Sequence, residues 1–189
     1  MPESAPREVL RIPAFAAYWT AATISGFSGS VTGIALQVLV VTTLAASPFE
    51  VGVVNAVQFL PYLLFGLIVG ALVDRWRRRP ILVWSGLAQG GVLAAMPVLW
   101  ITGHLQLWVV VVLVFVLGVL SLFANAAQQS FLPLIVPRDR LVPANARLDQ
   151  SSTVAQTSGP VVGGALVALL GAPFAVLVDA ISYGATAII

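Results

Sequence analysis

Residues 80–137 form a stretch of 58 positions without one Asp, Glu, Lys or Arg, broken by a single titratable side chain, His104. A helix needs about 20 apolar residues, rising about 1.5 Å each, to cross the hydrocarbon core of a bilayer, so a stretch this long has to cross, turn and cross back. Gly103 and His104 mark the turn. Three more uncharged stretches, 12–49, 51–73 and 150–178, each hold at least one span. The expected spans are about 15–44, 51–73, 81–102, 106–132 and 151–170, with a partial sixth over 173–189. The fold class this predicts is an all-α polytopic membrane protein. Its composition agrees: 59% of the residues are hydrophobic and 8% charged, against about 25% charged in a soluble domain.

Charge placement tests the span count independently, because basic residues in short loops stay on the cytoplasmic side. All nine basic residues are Arg. Arg7 and Arg11 precede the first span, Arg75, Arg77, Arg78 and Arg79 follow the second, and Arg138, Arg140 and Arg147 follow the fourth. Five spans put them all on one face, leaving Glu50 and His104 opposite. A single span over 80–137 would strand the last three Arg outside. The expectation is a multi-pass protein of the inner (plasma) membrane with a cytoplasmic amino terminus. The first apolar run is too long for a cleavable signal peptide, whose apolar core spans about 7 to 15 residues. The formal charge of +2 reflects this topology and contact with anionic lipid headgroups rather than nucleic-acid binding. The absence of cysteine excludes disulfides and thiolate metal sites, and no cofactor is expected.

Small residues let helices approach closely in lipid, and three such pairs occur: Gly29 with Gly33, Gly66 with Gly70, and Gly159 with Gly163. Pro61, Pro97 and Pro160 fall inside spans, where each removes a backbone hydrogen bond. Residues 133–152 read as the one long polar loop, with 142–149 as a short interfacial helix. No separate soluble domain is indicated, so 1–189 reads as one transmembrane unit.

The loop after span two reads GALVDRWRRRPIL over 70–82. It resembles the signature loop of the major facilitator superfamily, with Gly70, Leu72, Asp74, Arg75, Arg78 and Arg79 matching and Arg77 in place of a glycine. The resemblance implies that Asp74 and the arginines form a cytoplasmic gating cluster that holds two transporter halves together; an acid beside several Arg can make such ion pairs. Plain positive-inside anchoring explains the arginines but not Asp74. Span five carries TSGPVVGGALV over 157–167, similar to the antiporter signature of exporters in that superfamily. Gly159, Pro160, Gly163 and Gly164 match, while Ala155 stands where the first glycine is expected. Residues 131–138, the run Pro143-Ala144-Asn145-Ala146 and VDAISY over 178–183 resemble the enterobactin and macrolide exporter branch. The resemblance implies the amino-terminal six-helix bundle of a two-half transporter, truncated in its sixth helix, and proton-coupled export of drugs, siderophores or similar amphipathic small molecules. The arginine typical of the fourth helix in many drug–proton antiporters is missing.

Asp179 is the one acid deep in an expected span, where a charge at mid-helix costs about 2.5 to 3.5 kcal/mol. Three roles stay open for it: taking up a proton, binding a cationic group, or simple hydration near the interface. Gln37, Asn55, Gln58, Gln89, Asn125 and Gln128 are candidates to line a translocation path or to tie helices together. His104 sits in an outer turn and reads as solvated. No nucleophile, base and metal-ligand set is present, so catalysis is not expected. Two alternatives remain beside export: a non-transporting membrane subunit or truncated remnant, and solute uptake. The partners implied are membrane lipid, a small-molecule substrate, and a missing carboxy-terminal half or second subunit. By itself the 189-residue chain is expected to move no substrate. Purified chain in liposomes that carried a substrate along an imposed proton gradient would overturn that expectation.

Overall fold

The computed structural model describes residues 9–73, 76 and 78–188, with side chains for all of these except 78, 79 and 184–188. Among the described residues there is no strand. Among the described residues six α-helices follow one another: α1 (Pro13–Val38, extended by a π-helical turn, Leu39–Thr43), α2 (Pro48–Val73), α3 (Arg78–Ile101), α4 (Leu107–Ile135), α5 (Leu141–Leu170) and α6 (Ala172–Ile188). The first five are long and apolar enough to cross a membrane, and α6 is a shorter apolar helix.

Local chemistry explains where the helices begin and end. Proline stands at the first turn of α1, where its missing N–H costs nothing. At the start of α2, Ser47 and Glu50 cap each other: the Ser47 backbone N–H and hydroxyl donate to Glu50 Oε2 at 2.7 and 2.8 Å, and the Glu50 N–H donates back to Ser47 Oγ at 3.4 Å. After α3, Gly103 takes φ +73°, its N–H reaching the Trp100 carbonyl while the His104 N–H reaches Leu99. This paired closure satisfies two terminal carbonyls and needs a left-handed residue, which is why glycine marks the reversal.

One segment differs from the sequence expectation. Residues 133–152 are not a polar loop: α4 runs through Pro133 to Ile135, and after a short 3-10 turn (Arg138–Arg140) α5 begins at Leu141. Residues 142–149 are helical but continue without a break into the span. The cause is packing. Ala144, Leu141 and Leu148 lie at helical spacing and close over Phe15, Leu132 and Val136. Exposed polar side chains on the outer face bond their own helix, as Asn145 does to the Leu141 carbonyl and, further along, Thr153 to the Asp149 carbonyl.

The helices pack in the order α5, α1, α6, α3, α4, α2, each against the next. Exchanging α1 with α4, α2 with α5 and α3 with α6 maps these five pairings onto themselves. Because α1 leaves the arginine-bearing end and α4 returns to it, the two triplets are inverted, the internal repeat pattern common among membrane transporters. Glycines set three of the seams. A Cβ on Gly159 would overlap the Ser30 side chain of α1, and one on Gly163 would lie 3.1 Å from the Val31 Cα. Gly118 of α4 sits against Pro61 and the Gln58 carbonyl of α2, and Gly90 of α3 against the Ala180 carbonyl of α6.

Of the three glycine pairs expected to pack helices, only Gly159 with Gly163 does so here. At Gly29, Gly33, Gly66 and Gly70 a Cβ would meet nothing within 4 Å. Glycine spacing alone does not reveal which face of a helix meets a neighbour. Gly159→Leu is therefore expected to lower the stability of the α1–α5 seam by about 1 to 3 kcal/mol, the usual cost of overpacking, whereas Gly66→Ala should leave it unchanged. Thermal unfolding in detergent checks this; equal midpoints for the two variants would contradict the seam.

Candidate functional site

Polar side chains fall into three groups, set by which helix face carries them. The first lies on the exposed side of α1, α2 and α4. Gln37, Asn55 and Gln58 line one cavity of about 70 Å³ with Gly33, Val54 and Val114. Further along α2 and α4, Asn125 donates to the Tyr62 hydroxyl at 2.9 Å, and both residues remain exposed. Sequence spacing places Asn55 and Gln58 one turn apart, but it gave no sign of Tyr62, which reads as one more aromatic in an apolar helix.

The second group borders a cavity of about 500 Å³ between α1, α3, α4 and α6, toward the arginine-bearing end. Gln128, Gln89, Ser85, Ser25, Tyr18 and Tyr183 contribute to its wall. Gln128 is thus separated from the Gln37, Asn55 and Gln58 group. Gln89, 3% exposed, is committed to holding helices together: its Nε2 donates to the Ser85 carbonyl at 3.1 Å and its Oε1 accepts from Ser121 of α4 at 3.1 Å. In this wall the Tyr18 and Phe131 rings meet at a tilt of 53°, with centroids 5.6 Å apart. The Arg147 guanidinium lies 5.9 Å over Trp19, whose indole N–H donates to the Arg147 carbonyl at 3.4 Å. These contacts join α1 to α4 and α5 at the arginine-bearing end.

The third group surrounds Asp179. Its side chain is 2% exposed, and Thr32 of α1 donates to its Oδ2 at 2.6 Å. Hydration at the membrane interface, one of the three roles open from sequence, does not fit that burial. The carboxyl lies seven residues into α6, or about 10 Å along the helix, yet α1 and α3 cover it. Thr32 was missed because a lone threonine in an apolar helix carries no signal of its partner 147 positions away.

The two motif segments are placed unequally. Gly70 ends α2 with open space around it, while Asp74, Arg75 and Arg77 lie outside the described residues, as do the side chains of Arg78 and Arg79. In the antiporter-like segment, Gly159 and Gly163 face α1, whereas Pro160 and Gly164 are exposed on the other side of α5. His104 is exposed in its turn. Among the described residues no group of three or more His, Cys, Asp or Glu could hold a metal ion.

The model of the family described as Transmembrane secretion effector (MFS_3) matches residues 4–189. An uncharacterized MFS-type transporter of Mycobacterium tuberculosis is 32% identical over 133 residues, 70% of this chain and 27% of that protein. Macrolide efflux protein A of Streptococcus pyogenes is 22% identical over 152 residues, 80% of this chain and 37% of that protein. Macrolide efflux protein A of Enterococcus faecalis is 26% identical over 108 residues, 57% of this chain and 33% of that protein. The chain thus spans about a third of the length of the curated relatives it matches. No solved structure matches it. With an all-helical, multi-pass architecture and a family match over nearly its whole length, the chain belongs to the Transmembrane secretion effector family of MFS transporters.

Proposed function

We propose that this chain is the amino-terminal half of a proton-coupled exporter of amphipathic small molecules, drugs or siderophores among them, in the inner (plasma) membrane. The observation that carries this reading is the exposed amide face. Gln37, Asn55, Gln58 and Asn125 stand uncovered on helices that otherwise present large apolar side chains such as Leu63 and Leu67. Amides facing hydrocarbon are costly, so this face suits a hydrated path closed by a carboxy-terminal half or second subunit. Amides and the Tyr62 ring offer hydrogen bonds and a flat apolar surface without charge, which suits an amphipathic molecule. The name of the macrolide efflux relatives supports export and this substrate class.

In this reading the amino terminus and every arginine loop are cytoplasmic, and Asp74, Arg75, Arg78 and Arg79 gate that side. Pro160 and Gly164, exposed on α5, would meet the second half, while Gly159 and Gly163 hold α5 to α1. No step requires a cofactor, and lipid and the transported molecule are the other partners.

Accumulation of a labelled macrolide in a pump-deleted host expressing the full-length native product tests the proposal. Lower accumulation is expected, restored by a protonophore, with Gln58→Ala and Asn125→Ala weakening efflux at unchanged membrane levels. Higher accumulation would mean uptake, and efflux indifferent to the protonophore would remove the proton. Orientation has its own check, since the chain has no cysteine. A membrane-impermeant maleimide should label His104→Cys in intact cells and Arg138→Cys only after permeabilisation; the opposite pattern would invert the topology.

A further inference from the structure

Buried among apolar helices, one carboxyl has hydroxyl neighbours that differ in what they offer it. Thr32 gives Asp179 Oδ2 a proton at 2.6 Å. Oδ1 is buried and has no hydrogen-bond partner among the described residues. Ser28, one turn before Thr32, also adjoins the carboxyl, but its own hydroxyl proton goes to the Ile24 carbonyl at 2.9 Å. The hydrogen bond that the Ser28 hydroxyl donates therefore stays within α1. A carboxylate wants donors at both oxygens, while a carboxylic acid wants a donor at one and an acceptor at the other. Asp179 has one donor, Thr32 at Oδ2, and none at Oδ1, one short of what a buried carboxylate requires.

Among the described residues nothing charged balances the site. From α1 it meets Ser28 and Thr32, and from α3 the packing partners of α6 are Leu93, Met96 and Gly90. On α6 itself Tyr183 is the one other ionisable group, one turn further along. The described arginines that begin α5 or flank its 3-10 turn lie at the far end of α1. An uncompensated charge so enclosed is costly, whereas a neutral acid in hydrogen bonds is not.

We propose that Asp179 is the proton-binding site of this half, held as a neutral acid with its proton on Oδ1, the oxygen that no donor reaches. Its release leaves a carboxylate and one proton passed to water, and rebinding from water restores the acid. Because Thr32 and Ser28 are on α1 and Asp179 on α6, loss of the proton places an unpaired charge in that seam and favours its opening. The proposal rests on the proton-coupled reading for its role in transport, but the site itself can be measured without transport.

Infrared spectroscopy of the 189-residue chain reconstituted in lipid tests it near neutral pH. A carbonyl stretch of a buried carboxylic acid is expected, lost in Asp179→Asn and moved to higher wavenumber in Thr32→Val, which removes the hydrogen bond to Oδ2. A spectrum unchanged by Asp179→Asn would show an ionised group and overturn the proposal. Loss of the band on adding sodium at constant pH would also overturn it, making the site one for a metal cation. Should Asp179→Asn fail to insert, an unmoved band in Thr32→Val decides against the site. Proton-driven efflux by a protein without the band would sink this site and leave the exporter reading standing. A retained band with efflux indifferent to a protonophore would do the reverse.

Discussion

Within hydrocarbon every backbone N–H and C=O must find its partner inside its own segment, and that single constraint shapes the rest of the molecule. It leaves helices as the available element and pushes irregular backbone to their ends. The departures from ordinary helix occur there: the π-helical turn at Leu39–Thr43, the left-handed Gly103 after α3, and Gly171 at φ +82° between α5 and α6. The same constraint accounts for the long α5. Once Ala144, Leu141 and Leu148 find apolar partners, continuing the helix satisfies their backbone more cheaply than a polar loop would.

Lipid tails are as apolar as leucine, so burying leucine between helices gains little, and association depends on close approach and on a few hydrogen bonds. Gly159 against Ser30, Gly118 against Pro61 and Gly90 against Ala180 supply the approach. Gln89 with Ser121 and Thr32 with Asp179 supply hydrogen bonds across the α3–α4 and α1–α6 pairs. These two pairs exchange under the inverted-repeat relation, so the two triplets are tied at equivalent seams by different chemistry. One tie is a neutral amide and hydroxyl; the other includes an ionisable group.

Polar residues therefore divide by face rather than by type. Gln89 is enclosed and committed to Ser85 and Ser121, while Gln37, Asn55 and Gln58 border a cavity on the exposed side. In the proposed exporter half both kinds have a use: enclosed pairs would keep the helices as one body, and the uncovered set would be left for whatever passes or packs beside it. The antiporter-like segment of α5 shows the division within six residues. Gly159 and Gly163 are consumed by α1, and Pro160 and Gly164 stay free.

The sequence alone determined the solvent, the all-helical class and the reversal at Gly103, because charge-free length and a glycine flanked by apolar runs depend on local composition. It also carried the family resemblance, since the 70–82 and 157–167 segments keep their residues in order whatever surrounds them. It did not reveal which glycines meet a neighbour, where α5 begins, or that Thr32 reaches Asp179. In a helix that is apolar all round, periodicity marks no preferred face, so only the packing of six helices against one another decided which side chains became partners and which remained uncovered.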